Sequence, residues 1–273
     1  FFCLYNMEQH GLYWCKMNEV FEKHGISYLS PSTINGWIYS PSLQLLKIAG
    51  YRDNAGPSAW RGTAVDRAIG EVAFNKNLSD THLTKIAETV FEEQKSKSDE
   101  VDYVKADKEK TAIPKYIKSG AEFYRSLEEE PEAKQGKITT RIGNFKTPFI
   151  GYFDLLYKNE VRDTKTVGRT VSRLTQANCR QASIYAHALQ RDAFIDNVTT
   201  KEVVSLQVTN IAHWLRQVEH ATLTLNNVLS FSDDTIECAR LLTYPNVDDW
   251  IWSHEMKKVA NEIWRLDDGI IES

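Results

Sequence analysis

Two aspartates and a lysine lie within twelve residues of one another in the stretch Gly151–Tyr185, GYFDLLYKNEVRDTKTVGRTVSRLTQANCRQASIY. Asp154 interrupts the apolar run FIGYFDLL, and Asp163, Thr164 and Lys165 close the next run, EVRDTK. Side chains alternate faces along a strand, so Asp163 and Lys165 share one face while Thr164 takes the other. Lys158-Asn159 reads as a two-residue turn that folds the Asp154 strand against the Asp163 strand. Two carboxylates and an amine on a sheet edge suit phosphodiester hydrolysis with a divalent cation, which activates water and neutralises phosphate. Mg2+ or Mn2+ takes oxygen donors and keeps some water, so two or three carboxylates and a carbonyl, here that of Thr164, suffice. Lys165 would orient the attacking water or offset developing charge. As an isolated exposed pair, Asp163 and Lys165 would be worth little. Asp154 is the stronger signal, because an unpaired carboxylate among Phe149, Ile150, Phe153, Leu155 and Leu156 would be costly.

The elements that must position these groups can be read along the chain. A helix is possible over Tyr13–Lys23, and Ser30-Pro31 is a strong helix start, with Ile34, Trp37 and Ile38 facing inward. Pro41 interrupts this helix, and Leu43, Leu45, Leu46 and Ile48 resume it up to Gly50. Tyr51–Ser58 is loop-like, and Trp60–Thr63 leads into a helix over Ala64–Phe74. That helix carries Asp66 and Glu71, five residues or about 500° apart, so only one of them faces a site. Residues 78–130 read as a charged, solvated helical insertion or connection with no chemistry of its own. Ile138–Ile142 alternates as a strand, Gly143-Asn144 is a turn, and Phe145–Tyr157 is a strand disturbed at Pro148. Ser172–Gln190 is helical, with Leu174, Ala177, Ile184 and Ala188 facing the core and Gln181 and Tyr185 one turn apart. Glu202–Thr209 reads as a strand with His213–Glu219 as its partner. A helix over Thr222–Leu242, broken near Ser230–Asp233, and an amphipathic helix over Trp250–Leu266 complete the chain. Trp250, Trp252 and Trp264 are read as packing rather than as a base-stacking platform. The order implies an α/β (α+β) fold, a small mixed central sheet flanked by helices. The chain is treated as one domain, 1–273, with an N-terminal helical part (1–60), a core (61–210) and a C-terminal part (211–273).

Composition narrows the class without deciding it. The 273 residues are 42% apolar and 26% charged, with a net charge of -4, so no global basic signature points to nucleic acid. Locally the balance reverses: Glu160–Arg191 holds Arg162, Lys165, Arg169, Arg173, Arg180 and Arg191 against Glu160 and Asp163. Such a zone attracts a phosphate-rich ligand, although a solvated helix face would look alike. Cys3, Cys15, Cys179 and Cys238 show no CxxC spacing and read as reduced thiols of a cytoplasmic protein. No apolar run reaches the roughly 20 residues of a membrane span, and FFCLYNM lacks the basic leader of a signal peptide. There is no Gly-rich phosphate loop, no second His four residues after His254, and no Gly-x-Ser-x-Gly elbow.

The ordered set LSPSTINGWIYSP (Leu29–Pro41), RGTAVD (Arg61–Asp66), GYFDLL (Gly151–Leu156), DTKT (Asp163–Thr166) and QASIY (Gln181–Tyr185) resembles the PD-(D/E)XK nuclease superfamily, in its RecB-type branch. The resemblance spans residues 29–190. It implies a restriction-endonuclease-like core that cuts DNA with Mg2+ or Mn2+, as an exonuclease of recombination, repair or phage DNA processing. Asp66, Asp154, Asp163 and Thr164 would hold the metal, with Glu71 as fallback to Asp66. Lys165 would be catalytic, supported by Gln181 and Tyr185. Arg61, Arg169, Arg173 and Arg180 would contact nucleic acid. Linear ends or single strands are the implied substrate, in a bacterial or phage-infected host cytoplasm, with no membrane role and a single-strand-annealing or replication protein as a possible partner. Two departures stand out. Asp66 occupies a position that often carries His or Glu, and the cysteines that bind an iron–sulfur cluster in many relatives are absent near Tyr39–Pro41 and Trp250–Trp264, so no cluster is expected. The alternative is a nucleic-acid-binding module of the same fold with weak or lost cleavage.

Overall fold

The computed structural model describes residues 19–98, 100–242 and 244–265. It is a mixed α/β protein whose five-stranded sheet, ordered β1-β2-β3-β4-β5, is flanked by helices. The strands are β1 (Ala133–Thr140), β2 (Phe149–Leu156), β3 (Glu160–Thr166), β4 (Asp192–Val198) and β5 (Val203–Gln207). The helices are α1 (Pro31–Tyr39), α2 (Pro41–Ile48), α3 (Pro57–Phe74), α4 (Asp80–Lys95), α5 (Tyr103–Ser126), α6 (Gln176–Leu189), α7 (Ile211–Leu229), α8 (Thr235–Arg240) and α9 (His254–Trp264). Among the described residues no helix is long and apolar enough to cross a membrane.

The chain divides into two compact units. The first draws on Phe1–Asp53, Thr139–Ile150 and Leu215–Ser273, in their described parts. Its α1 starts as expected, with the Ser30 hydroxyl accepting from the Thr33 N–H and Pro31 in the first turn. Ile34 and Trp37 are buried, and the Trp37 indole donates to Thr224 Oγ1 at 2.9 Å. Ile38, expected inward, is instead exposed, because the buried stripe of this short helix is already filled by Ile34 and Trp37. Leu43 and Leu46 of α2 pack against Trp252, Met256, Ala260 and Ile263. The tryptophan-rich end is therefore an apolar closure, as expected, except that Trp250 lies in solvent just before the helix.

The second unit, Asn54–Ile138 and Gly151–Trp214, holds every candidate site residue. Helix α3 begins at Pro57, seven residues before the expected start, since Pro at the first position removes an N–H that would have no partner anyway. The charged stretch 78–130 is more than a solvated surface. Helices α4 and α5 pack on α3 and bury Leu83, Ala87, Phe91, Ile113, Tyr116, Ile117 and Tyr124 in the main core. Their charges lie on the outer faces, and the apolar stripes beneath them recur too sparsely to outweigh those charges in a linear reading.

Sheet pairing corrects the second half of the topology. The hairpin at Lys158-Asn159 is present, with β2 antiparallel to β3 through Leu155↔Arg162 and Leu156↔Val161. Strand β4 was not expected, yet it is the parallel neighbour of β3 along its whole length and the antiparallel partner of β5. His213–Glu219, expected as a strand, lies in α7. The region 202–219 alternates weakly enough to suit either state, and Asn210 with φ +57 closes the strand before the helix opens. The helix after β3 begins at Gln176 rather than Ser172, capped by Thr175, so Arg169 and Arg173 stand on the preceding loop. Most of the possible helix over Tyr13–Lys23, together with Cys3, Cys15 and Leu266, lies outside the described residues.

Candidate functional site

Strand β3 carries the centre of the site. Asp163 is fully buried and Lys165 half-buried, and Lys165 Nζ lies 2.6 Å from Asp163 Oδ2. This ammonium contact is the partner of the buried Oδ2. The other oxygen, Oδ1, accepts from Gln181 Nε2 at 2.9 Å, and the same amide reaches the Tyr185 hydroxyl at 3.0 Å. Gln181 and Tyr185 meet because residues four apart on a helix share a face, and α6 packs against β3 and β4. Gly151 allows this seat: a Cβ there would meet the Tyr185 ring at 2.6 Å. Asp154 is tied to β3 by the Thr164 backbone N–H, which donates to Asp154 Oδ2 at 2.6 Å.

Asp66 comes from α3 and is the helix acid that faces the site, as the five-residue separation from Glu71 requires. Glu71 pairs instead with Lys134 at 2.7 Å. Gln135 Nε2 donates to Asp66 Oδ2 at 3.2 Å, and Arg67 donates to the Gln135 side-chain oxygen. Gln135 has φ +50 inside β1, a left-handed residue in a strand, as at a bulge that re-aims its neighbour's side chains.

The electrostatics follow from three carboxylates gathered round one ammonium. Burial raises the pKa of Asp66 to about 6, and Asp163 adds to the rise while Gln135, Lys165 and Arg67 oppose it. Burial, then the charges of Asp163 and Asp66, push Asp154 well above the usual carboxylate range. Burial likewise lifts Asp163, against the pull of Lys165. For Lys165 burial works downward, but Asp163, Asp154 and Asp66 outweigh it and its pKa rises. Negative charge is thus in excess and only partly neutralised. Among the described residues, no three His, Cys, Asp or Glu side chains are close enough as they stand to form one coordination sphere. The donor chemistry nevertheless fits Mg2+ or Mn2+, because the donors are hard oxygens throughout.

Of the candidate nucleic-acid contacts, Arg169 and Arg173 are exposed on the loop that leaves β3. Arg61 and Arg180 are not at the surface. Arg61 is buried in an ion pair with Glu109, bonds Thr166 Oγ1 at 3.3 Å and stacks 4.6 Å from the Tyr116 ring centre. Arg180 is buried on α6, and burial lowers its pKa. Of the four arginines, the exposed two, Arg169 and Arg173, thus stand on the loop after β3.

No protein-family model and no curated protein matches the chain. Among solved structures, one similar chain is described as the crystal structure of SSO0001, with 12% identity and a TM-score of 0.32, covering 67% of this chain and 82% of that one. A likeness of this size carries no argument about activity.

A second polar cluster, missed in the sequence, lies behind β3. Arg162 Nη1 bonds both oxygens of the fully buried Asp196 at 2.9 and 3.1 Å and Ser205 Oγ at 3.1 Å, and its Nε donates to Glu160 at 2.6 Å. The Tyr124 hydroxyl donates to Asp196 Oδ2 at 2.6 Å and lies 3.2 Å from Thr164 Oγ1. The cue that singles out Asp154, a carboxylate inside an apolar run, also applies to Asp196 in AFIDNV. It went unused because β4 itself was not recognised.

Proposed function

We propose that this protein is a metal-dependent DNA nuclease of the PD-(D/E)XK type, acting as an exonuclease on linear ends or single strands. The observation that carries the reading is the convergence of Asp66, Asp154 and Asp163 on Lys165, each carboxylate raised in pKa by burial and neighbouring charge. Perturbed acids gathered with an amine are the arrangement from which functional sites are commonly built. The motif order in the sequence supports the same reading.

In this proposal Asp66, Asp154, Asp163 and the Thr164 carbonyl hold Mg2+ or Mn2+, which supplies the Lewis acidity that activates water and neutralises phosphate. Gln181 fixes the Asp163 carboxylate through Oδ1, which leaves Oδ2 toward Lys165. The raised pKa keeps Lys165 charged, so its ammonium donates to the attacking water or to a phosphate oxygen. Tyr185 supports Gln181 through its hydroxyl. Arg169 and Arg173, exposed beyond the strand, attract the strand's phosphates.

The test is incubation with linear and circular, single- and double-stranded DNA in Mg2+, Mn2+ or EDTA. Metal-dependent loss of linear DNA with circles spared is the expected result. Retention of DNA without cleavage in every condition would replace this reading by a nucleic-acid-binding module of the same fold.

A further inference from the structure

The buried cluster behind β3 meets the proposed site at one residue, Thr164. Its backbone N–H holds Asp154, its neighbours are Asp163 and Lys165, and its side chain points to the opposite face of the sheet. There Tyr124 donates its only hydroxyl proton to Asp196, so the 3.2 Å contact with Thr164 must run the other way, from Thr164 Oγ1–H to the Tyr124 oxygen. Arg162 holds both Asp196 oxygens and is itself gripped by Glu160, Ser205 and the rings of Phe194, Tyr157 and Phe123, at 4.9, 5.7 and 5.8 Å from their centres. The direction of every bond in the chain Arg162–Asp196–Tyr124–Thr164 is therefore set, and so is the Thr164 rotamer.

We infer that Tyr124 and Asp196 are positioning residues for the proposed metal site. Anchored by Arg162, they lock Thr164 from behind, so that its N–H aims the Asp154 carboxylate and its carbonyl keeps a constant place in the strand. This rests on the nuclease reading, since what is positioned is the metal-holding set. A purely structural pair would need only to satisfy buried charge, and Arg162 with Glu160 and Ser205 already does so for the pair. The Tyr124 hydroxyl, which links the pair to Thr164, is the added part. Groups one layer behind metal ligands commonly change affinity by about 10–100-fold when removed.

Tyr124→Phe and Thr164→Val each delete one hydroxyl and keep the side-chain shape, so both are expected to fold. Ser119→Ala is the control: it removes another buried hydroxyl of α5, one that bonds the Thr199 carbonyl away from β3. The measurements are Mn2+ affinity by calorimetry, hydrogen exchange at the Thr164 amide in EDTA, and cleavage rate against Mn2+ concentration. Tyr124→Phe and Thr164→Val should each weaken Mn2+ binding about 10-fold and speed exchange at Thr164, with no further loss when combined. Ser119→Ala should lower thermal stability alone. Unchanged Mn2+ affinity and exchange in Tyr124→Phe, with the unaltered protein binding Mn2+ and cutting DNA, would overturn the positioning role and leave the nuclease reading standing. An unaltered protein that neither binds Mn2+ nor cuts DNA would overturn both.

Discussion

The two faces of β3 carry similar side chains in unequal electrostatic states. On the reverse face one guanidinium sits between two carboxylates, and both oxygens of Asp196 are bonded. On the Lys165 side, three carboxylates share one ammonium, and all three have raised pKa values. A buried charge that is paired and bonded recovers much of its desolvation cost, whereas an excess of buried carboxylate does not. The more unbalanced, Lys165 face has the donors that suit a cation, and the fully bonded face lies behind it.

The sharpest way to break this contrast is at the unbalanced face. Lys165→Ala or Asp163→Asn should each lower cleavage about 100-fold or more. In EDTA, Asp163→Asn should hold or raise thermal stability because it relieves excess negative charge, whereas Lys165→Ala, which removes the one ammonium, should lower it. At the fully bonded face the pattern inverts: Asp196→Ala leaves the buried Arg162 with Glu160 as its remaining carboxylate and the Tyr124 hydroxyl without its acceptor, and should cost about 3–5 kcal/mol of stability, read from denaturant unfolding.

Proton linkage gives a smaller effect of unusual sign. Asp66 has an ordinary pKa of 3.8 unfolded and about 6 folded, so the folded state holds its proton more tightly. Stability of the metal-free protein is therefore lowered above about pH 6 and recovers as pH falls toward 4, the reverse of a salt-bridged aspartate. Asp66→Asn should stabilise the protein in EDTA at pH 7, with the gain shrinking by pH 5. A gain that grows toward acid would contradict the raised value. Smallest of all, Arg169→Ala and Arg173→Ala should leave stability untouched, weaken DNA binding a few-fold and reduce its salt dependence by about one unit of slope each.

What the sequence made legible follows from the range of the interactions involved. The period-two placement of Asp163, Thr164 and Lys165, the turn at Lys158-Asn159 and the Gln181–Tyr185 pair are local geometry, and all of them appear in the fold. Asp66 could be preferred over Glu71 only once β1 supplied Gln135 and Lys134, which a helical-wheel argument does not contain. Strand β4 escaped because DAFIDNV follows the helix after a single turn and alternates imperfectly, being buried on both faces, as in parallel pairing. Arg61 looked like a phosphate contact because its neutralising partner, Glu109, lies 48 residues away on a helix read as surface.

One side-by-side assay decides whether the protein is a metal-dependent nuclease: end-labelled linear DNA with Mn2+ or EDTA, incubated with the unaltered protein and with Lys165→Ala. The account predicts nucleotide release that needs the metal and disappears in the variant. Release that persists in Lys165→Ala, or DNA left intact by the unaltered protein in Mn2+, would contradict it.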